Sequence, residues 1–189
     1  HTNALEIDTS SVGGNLTLTA GANITDDGNV TVGGNFTATT DANSGAISLG
    51  TMLVDGTVSL NTNGTGDATI VNDNGLEFTT SDVNGDLSAT ATAGNIIQSG
   101  NLEVALTSSF TTSATNAMIT LNTNTNNLAG GVTLSTTGTT GHATIDNHTN
   151  ALEIDPSSVG GNLTLVSGHV NGITDDGNVT VGGNFTATT

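Results

Sequence analysis

The sequence predicts an all-β chain wound as a β-solenoid, and three observations carry that expectation. Short runs alternate apolar residues with threonine, as in Leu16-Thr17-Leu18-Thr19-Ala20, Val30-Thr31-Val32 and Phe36-Thr37-Ala38-Thr39, the pattern of strands with one face inward and one outward. Each run is bounded by Gly, Asn, Asp or Ser, which tolerate left-handed turn geometry. The chain also repeats itself: His1–Leu18 and His148–Leu165 differ only at Thr9 against Pro156, and Ile24–Thr40 is identical to Ile173–Thr189. A sandwich of short strands does not repeat itself, whereas a solenoid stacks each coil on the last with like residues above like.

In chain order, further strands are expected at Ala46–Leu49, Val58–Leu60, Ala68–Val71, Leu87–Ala93, Leu102–Leu106, Ile119–Leu121 and Val132–Leu134. All are rich in β-branched or apolar residues that suit a pleated surface. No stretch combines helical periodicity with caps, and the β-branched content disfavours helix. The spacings Leu16 to Phe36 and Leu163 to Phe185 set a coil of about 19–23 residues, hence about nine or ten coils. At ~4.8 Å per strand this makes a rod roughly 45 Å long. Crossover connections of the usual sense would make it a right-handed parallel β-helix.

A shorter period lies within the long one of about 147 residues. Phe36, Phe110 and Phe185 fall about 75 residues apart, and Leu5-Glu6-Ile7 returns as Leu76-Glu77-Phe78 and Leu152-Glu153-Ile154. Val12, Val83 and Val159 follow, then Gly14-Asn15-Leu16, Gly85-Asp86-Leu87 and Gly161-Asn162-Leu163, then Ile24, Ile97 and Ile173 opening a polar turn. The expected organisation is one continuous solenoid: a partial module over 1–44 and modules over 45–116 and 117–189, each of about four coils. Alternate modules resemble each other most, which suggests an array grown by duplicating a two-module unit. The sequence reads as a window on a longer array, with targeting signals outside it, since it opens on His1 rather than Met.

Composition narrows the function. There is no Lys or Arg, and 17 acidic residues give a formal charge of −17. Nucleic acid and anionic lipid both need basic side chains to neutralise phosphate, so neither is an expected partner. No apolar run approaches the roughly 20 residues of a membrane span, and cysteine is absent.

The segments Gly13–Gly21 (GGNLTLTAG), Ile24–Thr40 (ITDDGNVTVGGNFTATT) and Ile96–Ser113 (IIQSGNLEVALTSSFTTS) resemble the repeats of filamentous-haemagglutinin-type proteins, large bacterial surface proteins often exported by two-partner secretion. The resemblance runs along essentially the whole chain. It implies a right-handed parallel β-helix, export across the envelope, and a role as adhesin, stalk or surface fibre. The complete loss of Lys and Arg goes beyond that family's pattern.

Few residues invite chemistry. Asp26-Asp27-Gly28 and Asp175-Asp176-Gly177 place paired carboxylates in a turn, and Asp26, Asp27, Asp175 and Asp176 are the candidate Ca²⁺ ligands because hard cations take several oxygens. The same residues serve equally as a polar turn, the middle module has Gln98-Ser99-Gly100 there, and the GGxGxD calcium repeat is missing. Glu6, Glu77 and Glu153 evoke a glycosidase carboxylate pair. Their recurrence once per module instead marks an outward strand position kept acidic against lateral sheet pairing. No catalytic or cofactor-binding residue is expected. His142 and His169 have no counterparts in the other modules, and nothing has metal-ligand spacing. Most of the nine Asn-x-Ser/Thr sequons, Asn15, Asn35 and Asn162 among them, are by-products of the Asn-hydrophobic-Thr strand opening. Rows such as Thr17/Thr19 and Thr37/Thr39, interrupted at Val166, raise ice binding as a remote alternative.

The expected function is therefore structural: a repeat segment of a giant secreted or cell-surface fibre, non-enzymatic, supplying length, stiffness and protease resistance. End-to-end or lateral self-association is its expected partnership. The alternative is an adhesin contacting surface carbohydrate or neighbouring cells through a non-repeating insert, for which Gly50–Gly56 and Asn122–Gly130 are the candidates.

Overall fold

In a computed structural model, which describes residues 3–41, 44–123 and 125–189, the described residues form strands and turns, with no helix among them. The first third supplies β1 (Leu5–Val12), β2 (Leu16–Ala20), β3 (Ile24–Val32), β4 (Phe36–Thr40), β5 (Ile47–Val54) and β6 (Thr57–Asn61). Then come β7 (Ala68–Asn72), β8 (Leu76–Phe78), β9 (Ser81–Val83), β10 (Leu87–Ala91), β11 (Ile96–Gln98), β12 (Leu102–Val104), β13 (Ser108–Thr112), β14 (Ile119–Leu121), β15 (Asn127–Leu128) and β16 (Val132–Ser135). The remainder holds β17 (Ala143–Asp146), β18 (Leu152–Ile154), β19 (Ser157–Val159), β20 (Leu163–Val166), β21 (Ile173–Asp175), β22 (Val179–Val181) and β23 (Phe185–Thr188).

Successive coils pair in parallel and build two long sheets. The first sheet runs β1-β3-β5-β7-β10-β13-β16-β18-β21 along its main path, one strand per coil, so the solenoid has nine coils. Leu16 stands opposite Phe36 and Leu163 opposite Phe185, the two pairs that set the coil length in sequence. Coils vary from the 19 residues between Leu5 and Ile24 to the 24 between Ser108 and Val132.

The module is three and a half coils rather than four. Leu5 leads by register to Ile24, Ile47 and Ala68, then Leu87, Ser108, Val132 and Ile154, so the 147-residue repeat spans seven coils. Half of seven is not whole, so each module lands on the sheet opposite to the one before it. Phe36 and Phe185 lie in the second sheet and Phe110 in the first; Leu5 and Leu152 lie in the first and Leu76 in the second. Alternate modules share an environment, which gives a physical reason why alternate modules are most alike.

In most coils, one side is a long or divided strand and the other a single short one. The divided side is β1, β3 and β5 in the first sheet, then β8/β9, β11/β12 and β14/β15 in the second, then β18/β19 and β21/β22 back in the first. Two short strands run in succession where the pattern changes sheet, at β6–β7 and at β16–β17. There a single strand must cover a divided one, and a buried asparagine makes up the shortfall. Asn72 Oδ1 accepts from the N–H of Val54 at 2.8 Å, while its Nδ2 donates to the carbonyls of Val54 and Gly75. Asn147 does the same for Leu128, with Ala151 as the third partner. Each side-chain amide acts as one extra peptide group, satisfying backbone groups that burial would otherwise leave unpaired.

The core is a narrow file of inward residues, with Phe36, Phe78 and Phe110 fully buried among Leu, Ile, Val and Ala. Each such side chain is worth about 1.5–3 kcal/mol of burial. Ile97 is 39% exposed and Ile96 is the buried one, so the inward counterpart of Ile24 is Ile96, one residue earlier than the sequence alignment places it. Coil corners are closed by Thr40, Thr62, Thr112 and Thr136, whose hydroxyls donate to carbonyls four or five residues on. Ser108 carries a buried hydroxyl without a partner among the described residues.

Candidate functional site

The polar groups that line up between coils are mostly spent on the fold. Asn15 Oδ1 accepts from the N–H of Asn35, and Asn35 Oδ1 from that of Thr57. Asp67 and Asp86 do this along the first sheet, and His142 Nδ1 and Asn162 Oδ1 along the second. An acceptor at the strand entry is what matters, and a carboxylate, an amide or an imidazole nitrogen can supply it. His142 thus stands where an Asn stands in the coil above.

The Asp-Asp-Gly turn does not act as a pair. Asp26 reaches forward: Oδ1 accepts from the N–H of Gly50 and Oδ2 from the N–H and hydroxyl of Thr51, each at 2.8 Å. Asp27 reaches back, and its carboxylate lies with those of Glu6 and Asp8, ligand atoms all within 4.8 Å of one another. The same triplet recurs as Glu153, Asp155 and Asp176. Five of these six residues are exposed, so water screens them, and a hard cation there would draw much of its shell of six to eight oxygens from solvent. Asp175, the counterpart of Asp26, is exposed.

Gly28 follows from the same geometry. A Cβ there, at φ +157°, would fall 2.9 Å from the backbone nitrogen of Thr9. Thr9 lies in the bulge between Asp8 and Ser10, outside the ladder register. A residue without a ladder partner can be proline, which accommodates Pro156, the one change between His1–Leu18 and His148–Leu165.

Glu6 and Glu153 stand seven coils apart on the first sheet, while Glu77 is on β8 of the second. No two of them face a common point, so they form no carboxylate pair. Gly50–Val54 belongs to β5, and Asn127–Leu128 is β15 with Asn126 fully buried against Gln98. Neither segment is a lateral insert among the described residues. Thr17, Thr37 and Ser59 stack in one file, and Thr120, Thr144, Thr164 and Thr186 in another that is offset from it by two residues and interrupted by Ile97 and Glu77. A shallow polar groove of about 260 Å³ runs past Asp55, Asn74, Glu77 and Asn95. Among the described residues no helix is long and apolar enough to cross a membrane.

These features define a parallel β-solenoid built from tandem modules of three and a half coils. Residues 1–61, 65–135 and 140–189 each match a family described as "Repeats of unknown function (DUF5649)". The matches take in nearly the whole chain, and the chain belongs to that family. Its breaks, at 62–64 and 136–139, fall where the divided strands change sheet. No curated protein and no solved structure matches the chain.

Proposed function

We propose that the chain is a structural segment of a secreted or cell-surface fibre and performs no catalysis. One observation carries the reading: side-chain acceptors, from Asn15 to Asn162, are committed to joining one coil to the next. A stack held this way resists bending because every coil shares a continuous backbone ladder with its neighbours. The resemblance to filamentous-haemagglutinin-type repeats supports a place outside the cell. The absence of Lys and Arg denies trypsin-like proteases any cleavage site.

Electron microscopy of the native material, with helical averaging, tests the proposal. Thin rods with an axial repeat near 34 Å, the span of seven coils at ~4.8 Å each, are the expected result. Compact particles would overturn it, and rods bearing lateral lobes would favour a ligand-binding adhesin.

A further inference from the structure

His1–Leu18 and His148–Leu165 are the same sequence but for Thr9 in the first copy and Pro156, the chain's single proline, in the second. The exchange turns an Asp-Thr bond into an Asp-Pro bond, and the surroundings of the two bonds match. The hydroxyl of Ser10 donates to the carbonyl oxygen of Asp8 at 2.7 Å, and that of Ser157 to the carbonyl oxygen of Asp155 at 2.8 Å. Glu6 and Asp27 bring their carboxylates to that of Asp8, as Glu153 and Asp176 do to that of Asp155, with oxygens within 4.8 Å of one another in each group. Asp155 is half-buried, its carboxylate in the space that a side chain on Gly131 would fill, and Pro156 is exposed to water.

We propose that the bond between Asp155 and Pro156 is a self-cleavage site, at which the chain cuts itself in mildly acid solution. A carboxylate oxygen of Asp155 attacks the backbone carbonyl carbon of the same residue and closes a cyclic anhydride. Negative charge gathers on the carbonyl oxygen that the Ser157 hydroxyl already holds, the hydrogen bond that an oxyanion site supplies. The carbon–nitrogen bond breaks, its electron pair stays on the Pro156 nitrogen, and that nitrogen takes a proton from a protonated carboxyl group of Glu153 or Asp176. Water then opens the anhydride, so one peptide bond and one water become a carboxyl group and a secondary amine. Proline matters because its nitrogen, with two alkyl substituents, is the more basic leaving group. Having no N–H, it cannot instead close an imide with the Asp155 side chain. The titratable groups facing Asp155 among the described residues are Glu153 on its own coil and Asp175 and Asp176 from the coil above; β16 beneath carries none. The cut falls between β18 and β19, which keep their separate ladders to β21 and β22, so a nicked rod stays assembled. The reaction runs once per bond and leaves the structural reading of the chain as it stands.

The test holds the complete 189-residue chain at about pH 4, where ordinary carboxyl groups divide between their two forms, and follows it by mass spectrometry. Fragments His1–Asp155 and Pro156–Thr189 are expected, formed at a rate independent of protein concentration. The rate is expected to be about tenfold higher than in the same buffer with denaturing urea, because the unfolded chain keeps the bond but loses the held geometry. Asp155→Asn, an isosteric change that removes the nucleophile, and Pro156→Thr are each expected to abolish the cut. Ser157→Ala is expected to slow it about tenfold, with circular dichroism identifying the variants that stay folded. Thr9→Pro is expected to add a second cut after Asp8, where Glu6, Asp27 and Ser10 already stand in place. No cleavage at Asp155, equal rates with and without urea, cleavage that survives Asp155→Asn, or a folded Thr9→Pro chain left uncut after Asp8 would each overturn the proposal.

Discussion

Asn72 and Asn147 show how much a single buried amide can decide. Both sit where a short strand lies against a long or divided one, and both pair with the N–H and the carbonyl of one residue in the preceding coil. Leaving such groups unpaired costs about 1–3 kcal/mol each. Asn72→Ala is therefore expected to lower the unfolding free energy by about 2–4 kcal/mol, read from the denaturant midpoint. Asn72→Asp is expected to be no better, since a carboxylate accepts from Val54 but cannot donate to the carbonyls of Val54 and Gly75. Equal stability of wild type and Asn72→Ala would refute the role. Thr9 and Pro156 make the opposite point: a residue outside the ladder is free to change.

At the scale of elements, the divided strand depends on its corner. Gly28 crosses Thr9 so closely that any side chain would press on the Thr9 hydroxyl and on the Thr9 backbone behind it, which cannot swing away. Gly28→Ala is expected to destabilise the chain by about 1–3 kcal/mol, while Gly13→Ala, where an added Cβ meets nothing within 4 Å, is expected to cost little. Thermal unfolding of the two variants checks this, and equal losses would contradict it. The single short strands were legible in the sequence because alternation of Leu or Phe with Thr reports a two-sided pleat, and the pairing of Leu16 with Phe36 follows from spacing alone. The divided strands were harder to read. Ser10, Ser81 and Ser157 mark their second halves, and the hydroxyls of all three donate to the carbonyl two residues back, but a local hydroxyl-to-carbonyl bond leaves no periodic trace. The same limit governs the acidic turn: Asp26 and Asp27 are adjacent in sequence, and alternation along a strand sends them to different neighbours. Ile96 and Ile97 are both apolar, so composition could not say which faces inward. Asn72 and Asn147 were missed for a related reason, since in a chain so rich in Asn only the change of sheet at β6–β7 and β16–β17 distinguishes these two.

The whole molecule follows from a mismatch between module and coil. A module of three and a half coils forces the sheets to exchange roles at each junction, and the junctions are built alike. Thr62 Oγ1 donates to the carbonyl of Gly66, and Thr136 Oγ1 to that of Gly141. Deleting residues 65–139 joins Gly64 to Thr140 and restores a Thr-Asn-Gly-Thr-Gly corner like that of Thr62–Gly66. It then lays β17 on β5, where Asn147 meets Val54 as Asn72 did. The shortened chain is expected to fold as a rod about 17 Å shorter, three and a half coils at ~4.8 Å each, with its strand circular dichroism per residue unchanged; small-angle scattering reads the length. A deletion of residues 65–128 has no such compensation. It places β16 after β6 but carries two short strands into a coil whose divided strand has lost its asparagine, and it is expected to lose cooperative unfolding. If both deletions fold equally well, the junctions carry no register information and the half-integral module is an accident of sequence; if only the 65–139 deletion folds, the array can grow or shrink by single modules while selection favours pairs, because only a pair returns every residue to its own sheet.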